Sequence, residues 1–341
     1  MSNVGDKGMY KVSVIMPIFN DDKYLESTLN SVINQTIGFE NIELILVDDG
    51  STDKSRVILK EYSKNYSNIK TIFLDENSGS PGIPRNVAIK NATSDYIMFI
   101  DADDEYFPEI CDKLYNTIIS EDADVVGCDW LETDNYSTVR SSLSSDGVLV
   151  GDELVYIGGY AIWMCIFKKS IILDNSIYFP SLKKAQDIVF TLNYFLHSKK
   201  FVCLNDFVGY HYIRRNNSVS FTSLYSCINA INVHGLMFNI LEESGRNYDS
   251  NRFFKRMILM SITGAIVLGN KYEIKEILSC LYDFEKKINF TGKLPIIFQV
   301  INFFILHKNL NMATYVCLFI SKVRKSNLLL KIYRRFFLKK A

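Results

Sequence analysis

Four things are missing from this chain, and each absence excludes something. Positive charge is not in excess: 38 Lys and Arg balance 38 Asp and Glu, for a formal net charge of +0. A dedicated nucleic-acid binder is therefore not expected, because neutralising phosphates needs a surplus of basic side chains. A cysteine framework is also missing. Cys111, Cys128, Cys165, Cys203, Cys227, Cys280 and Cys317 form no CxxC pair and no zinc-like cluster, and an odd count of this kind suits a reducing compartment. Met1 to Tyr10 is polar and lacks the apolar stretch of a secretory leader. No run approaches the roughly 18 apolar residues of a membrane span. A cytoplasmic protein is the expectation.

The 341 residues are 48% hydrophobic, enough for a sizeable core and too many for wholesale disorder. Short apolar runs alternate with helical patterns over the first 130 or so residues. Val12–Phe19, Ile42–Val47, Ile69–Leu74, Tyr96–Ile100 and Asp124–Cys128 read as strands. Leu25, Leu29, Val32 and Ile33 mark one helical face, Val57, Ile58 and Tyr62 another, and Ile110, Leu114 and Ile118 a third. Gly79, Pro81, Gly82 and Pro84 break the chain before a further helix. Such alternation with short links predicts an α/β fold, a mostly parallel sheet with helices on both faces. Thr133–Gly147 is polar and Ser-rich and reads as an exposed loop. Ala161–Phe167 and Phe201–Leu204 read as further strands, with a helix at Ile188–His197 between them. From about Leu224 only helical patterns remain, so the expected domains are residues 1–222 and a helical module at 223–341.

In an open parallel sheet, ligands bind at the carboxyl ends of the strands. Carboxylates collect there in this sequence: Asp48 and Asp49 after the second strand, and Asp101, Asp103 and Asp104 after the fourth. Like charges at adjacent strand ends call for a cation or a donor-rich ligand between them, and hard oxygen ligands suit Mg²⁺ or Mn²⁺ shared with phosphates. One DxD alone is weak, since loops use Asp as a turn former. Three motifs in order carry more: Pro17-Ile18-Phe19-Asn20, Val47-Asp48-Asp49-Gly50-Ser51-Thr52-Asp53, and Asp101-Ala102-Asp103-Asp104. With Pro81-Gly82-Ile83-Pro84-Arg85-Asn86 before the fourth strand, the chain resembles family-2 glycosyltransferases of the Rossmann-like GT-A fold. The resemblance spans roughly Val12 to Ser220. It is nearest to bacterial members that decorate cell-wall polymers, capsules or surface glycoproteins.

That resemblance implies a set of roles. Pro17, Phe19 and Asn20 would border the nucleoside of a UDP-sugar, and Asp49 would accept a hydrogen bond from the uracil ring. Asp101 would contact the ribose, with Ala102 beside it in the donor site. Asp103 would hold Mn²⁺ or Mg²⁺ on the diphosphate, Arg85 would lie near the diphosphate or the sugar, and His211 would be a further metal ligand. In Lys184-Ala185-Gln186-Asp187-Ile188, the family's usual Glu is replaced by Gln186 while Asp187, the general base of an inverting transfer, is kept. The bland alternatives are turn and helix capping for Asp48, Asp49, Asp53 and Asp187, a surface ion pair for Arg85, a structural His211, and core packing for Trp130 and Trp163.

Two rival classes stand against this reading. A nucleotidyltransferase would show a Gly-rich basic loop at the first strand, where this chain has Asn20-Asp21-Asp22. A non-catalytic partner of an active transferase would have no need of Asp49, Asp101, Asp103 and Asp187. The expected partners are a UDP-sugar and a glycan, polymer or glycoprotein acceptor, with no nucleic acid. Leu294–Phe319 reads as packed helices. Leu328–Lys340 places Leu329, Leu330, Tyr333, Phe336 and Phe337 among Lys and Arg, a pattern that serves internal packing, an anionic membrane surface, or an acceptor or homo-oligomer contact.

Overall fold

The computed structural model describes residues 10–133, 138–141, 147–151, 153–154, 161–214 and 223–325. The chain divides into two compact units, residues 1–218 and 219–341.

The first unit is built on one mixed sheet. Its strands are β1 (Val12–Ile18), β2 (Ile42–Asp48), β3 (Ile69–Phe73), β4 (Tyr96–Phe99), β5 (Glu105–Tyr106), β6 (Val125–Thr133), β7 (Thr138–Ser141), β8 (Val148–Val150), β9 (Cys165–Lys168) and β10 (Lys200–Ile213). Its helices are α1 (Leu25–Ile33), α2 (Ser55–Asn65), α3 (Gly82–Asn91), α4 (Ile110–Ser120), α5 (Lys169–Asp174) and α6 (Gln186–His197). The main strand order is β3-β2-β1-β4-β9-β6-β10-β5. β1 pairs in parallel with both β2 and β4, and β2 with β3. All seven residues of β1 and of β2 are buried, as expected where both faces of a parallel sheet are covered.

Antiparallel pairing enters at β9, which lies between β4 and β6 and runs against both. The alternation read from the sequence therefore holds for the β3-β2-β1-β4 half, and the other half is mixed. Ala161–Phe167 is not one strand: a single 3₁₀ turn, Ile162–Met164, precedes β9. Part of the expected Ser-rich loop is strand β7, paired with β6; residues 134–137 and 142–146 lie outside the described residues. α2 buries Ser55 and Leu59, packs Ile58 and Tyr62 against the core and leaves Val57 66% exposed.

The second unit is helical over its described residues: α7 (Leu224–Ser244), α8 (Ser250–Leu268), α9 (Lys271–Ile288), α10 (Ile296–Leu306) and α11 (Leu310–Lys325). Side chains of Ser223, Asp249 and Asn270 cap the first three, satisfying backbone N–H groups that lack an intrahelical partner. Among the described residues, α7 alone is long and apolar enough to cross a membrane. It packs against α8 and α9 and carries Asn229, Asn232, His234 and Asn239 along its length. The basic stretch Leu328–Lys340 lies outside the described residues.

Candidate active site

The loops after β1 and β2 are tied together by Asn20. Its side-chain oxygen accepts from Thr52 N at 2.8 Å and Asp53 N at 3.4 Å, and its own N–H donates to Ser51 Oγ at 3.0 Å. Holding that position requires φ +58°, a left-handed conformation that Asn tolerates better than most residues. Pro17 is buried within β1, while Phe19 stands 44% exposed beside it. Phe19 thus offers an open aromatic face at the strand end.

The two aspartates after β2 do different work. Asp48 is wholly buried and pairs with Arg56 Nε at 2.6 Å, an anchor between the strand end and α2. Asp49 accepts from Ser78 N at 3.0 Å and Ser78 Oγ at 2.8 Å. Each of its oxygens keeps a second lone pair. Gly50 makes the turn at φ +76°; a Cβ there would stand 2.6 Å from Asn77 N. Asp53 serves as a tie, accepting from Ser55 N and Asp22 N, in keeping with the capping alternative.

Arg85, on α3, is the buried cation of the site, 3% exposed and ion-paired with Asp101. The Phe179 ring lies 5.5 Å from its guanidinium carbon. Its Nε and Nη1 are buried with no hydrogen-bond partner, which leaves three of the five N–H donors of the fork unsatisfied. Asp187, in the first turn of α6, lies in the same field. Burial raises its carboxyl above the usual carboxylate range, Arg85 draws it back down, and Asp101 pushes it up again. The segment before α6 is pinned to α3: Asn86 and the Phe179 backbone exchange two hydrogen bonds at 2.8 and 2.9 Å, and Ser80 Oγ donates to Leu182 O at 2.6 Å. Ala185, just before the helix, is held at φ +60°, which is costly for a residue with a Cβ.

Around Asp101 the carboxylates crowd. Asp104 accepts from Tyr210 Oη and Ile213 N, both at 2.8 Å, yet burial and the charges of Asp101 and Asp103 push it up to about 8. Asp21 is pushed up to about 6 by burial, with Asp103, Asp101 and Asp53 adding to the effect against a hydrogen bond from Phe19 N–H. In the sequence Asp21 stood out only as part of the loop Asn20-Asp21-Asp22, so its place in the acidic group was missed. Trp163 stacks on Tyr210 with ring centres 4.2 Å apart and meets Trp130 edge-on at 5.7 Å. Of these rings Tyr210 is fully buried and reaches the acidic group through its bond to Asp104.

Crowded hard-oxygen donors of one sign fit a divalent cation that completes its shell with substrate oxygens. Among the described residues, however, no three His, Cys, Asp or Glu side chains are arranged to hold a metal by themselves. His211 bonds Thr133 Oγ1 at 2.9 Å, lies 3.5 Å from Glu105, and stacks on Phe107. Asp103 instead acts on Asp21, Asp104 and Tyr212. The structure therefore gives His211 partners other than the aspartates of the motif.

A parallel half-sheet with acids at its carboxyl ends, a buried arginine paired with one of them and an aspartate at a helix start make up the candidate site. The family model of glycosyl transferase family 2 matches residues 13–166. The chain is 36% identical over 211 residues to the poly(ribitol-phosphate) beta-glucosyltransferase of Bacillus spizizenii, covering 60% of this chain and 33% of that one. It is 30% identical over 275 residues to the poly(ribitol-phosphate) beta-N-acetylglucosaminyltransferase TarS of Staphylococcus aureus (78% and 47% covered). To TarP, the S. aureus protein of the same activity name, it is 32% identical over 237 residues (65% and 71% covered). The crystal structure of S. aureus TarS 1–349 superposes with a TM-score of 0.73 at 24% identity, covering 89% of each chain, a likeness of fold. The chain belongs to glycosyltransferase family 2. It spans less than half the length of the first two relatives.

Proposed function

We propose that the chain transfers a sugar from a UDP-sugar to a hydroxyl of a cell-wall polymer of the poly(ribitol-phosphate) class, with inversion, on the cytoplasmic side of the membrane. The acceptor class follows the names of the relatives, and glycans or glycoproteins are the wider class that the same chemistry serves. TarS has been crystallised with UDP-GlcNAc; we carry over the uridine diphosphate and leave the sugar open. The observation that carries the reading is the buried Arg85, ion-paired with the strand-end Asp101 and drawing down the carboxyl of Asp187, the candidate base.

In this reading Phe19, Pro17 and Asn20 border the nucleoside, Asp49 takes the uracil N–H, and Asp101 with Ala102 meets the ribose. Arg85 donates to the diphosphate or the sugar. Asp103 is the residue to hold Mn²⁺ or Mg²⁺, with His211 only a candidate second ligand. The ion would supply a Lewis acid for charge building on the departing diphosphate. Asp187 removes the acceptor proton as the hydroxyl attacks opposite the leaving group, so no covalent enzyme intermediate is needed.

Incubating the full chain with poly(ribitol-phosphate) and a panel of UDP-sugars, with and without Mn²⁺, tests the reading. Transfer of at least one sugar to the polymer is expected. Failure of every UDP-sugar, with the fold intact, would leave the non-catalytic role.

A further inference from the structure

The second unit exposes more apolar surface than its own folding requires. α10 has two apolar faces. Ile301 and Ile305 are buried, whereas Ile296, Val300, Phe303 and Leu306 are 78%, 45%, 55% and 42% exposed. The exposed four recur at spacings of three and four, so they share one side of the helix. α11 repeats the pattern: Ala313 and Cys317 are buried, and Met312, Tyr315 and Phe319 are 43%, 55% and 68% exposed. The two helices pack against each other. Isolated exposed apolar residues are ordinary, but stripes on neighbouring helices mark an interaction surface.

The charge around these stripes is one-sided. Every one of the 38 acidic residues precedes Lys286, and 12 of the 38 basic residues lie from Lys286 onward. The neutral total thus conceals −12 on the first 285 residues and +12 on the last 56. Exposed Lys308 follows α10, and exposed Lys322 lies on the same side of α11 as Phe319.

We propose that the α10–α11 face docks on an anionic lipid surface. Such a surface supplies both complements at once, negative headgroups for the lysines and an apolar boundary for the stripes. A second copy is a poor occupant, since a two-fold contact would set two purely basic faces against each other. The segment 326–341 has the same sign of charge. A soluble phosphate polymer would answer the lysines and leave Ile296, Phe303 and Phe319 in water. The inference does not depend on the donor or on the chemistry proposed above.

Co-sedimentation of the full chain with vesicles of phosphatidylcholine, alone or mixed with phosphatidylglycerol, tests it. Binding to the mixed vesicles only, weakened by salt, is expected. Phe303→Ser with Phe319→Ser should weaken it at least about tenfold without changing the far-ultraviolet dichroism, because both rings are exposed. Lys308→Glu with Lys322→Glu should weaken it as well. Unchanged vesicle binding by the Phe pair would overturn the proposal. So would binding lost only on reversing Lys331, Arg334 and Arg335, which would assign the contact to the terminal segment. A dimer that the Phe pair converts to monomer, with no vesicle binding, would assign the face to a second copy. Equal binding of inorganic polyphosphate by wild type and the Phe pair, again with no vesicle binding, would assign it to anionic polymers.

Discussion

The two units use charge in opposite ways. In residues 1–218, carboxylates are brought together at strand ends, and Asp21, Asp104 and Asp187 are held above their ordinary range by burial first and then by the charge of Asp101, joined by Asp103 for the first two. In residues 219–341, the described core holds one carboxyl of this kind, Glu285, pushed up to about 8 by burial. Crowding several acids costs stability and is retained where a ligand is to be gripped. A lone buried acid carries the same cost without a chemical partner to repay it. The first unit is therefore the place to look for lost activity on substitution, and the second the place to look for altered stability.

The largest expected effect is on Asp103. Asp103→Ala should lower transfer at least about 100-fold, the scale of losing one charge-stabilising group in a transition state, and excess chelator should mimic it. Full activity of the variant, or of the wild type in chelator, would remove the metal from the account. Next is Arg85→Met. Loss of the guanidinium should cost about tenfold or more in kcat/KM. It should also move the acid limb of kcat to higher pH: Asp187 must be deprotonated to act, and the cation that pulls its carboxyl down is gone. An unshifted limb would sever Arg85 from Asp187.

In the second unit, Glu285→Gln should stabilise the chain in a pH-dependent way. The folded carboxyl is raised above its ordinary value, so the folded state binds the extra proton, and stability falls as pH rises from about 4.5 through about 8. The variant should melt at least about 4 °C above wild type at pH 9 and close to it near pH 4.5. A constant difference across that range would mean that Glu285 acts by packing. The smallest effect is Ala185→Gly. Relieving a left-handed alanine should stabilise by at most about 1 kcal/mol, with little change in donor binding; destabilisation by as much would show that the Cβ packs.

What the sequence revealed was local. Val47-Asp48-Asp49-Gly50 could be read as a strand ending in a turn because Gly50 must occupy a conformation and a space that other residues cannot. The α3 turn near Pro84 was legible because Pro fits a first helical turn, and α6 starts at Gln186, two residues before the expected Ile188. What stayed hidden was long-range. Periodicity cannot show that β9 inserts antiparallel between β4 and β6, that Ser78 takes both oxygens of Asp49, or that Asp21 joins the acids of the fourth strand. On α2, Ile58 and Tyr62 pack inward as an amphipathic helix requires, while Val57 is exposed and Leu59 takes the buried place. The same limit applies to α10 and α11, where an apolar sequence meant packing on one side and exposure on the other.

The most direct test of the account is Asp187→Asn, with donor binding and turnover measured separately on the same preparation. The substitution keeps the side chain's shape and removes its basicity. Calorimetric binding of UDP should remain within about threefold of wild type, while turnover falls by about 10² or more. Near-normal turnover, or an equal loss of binding and turnover, would contradict the assignment of Asp187 as the base and leave it as the first-turn acid of α6.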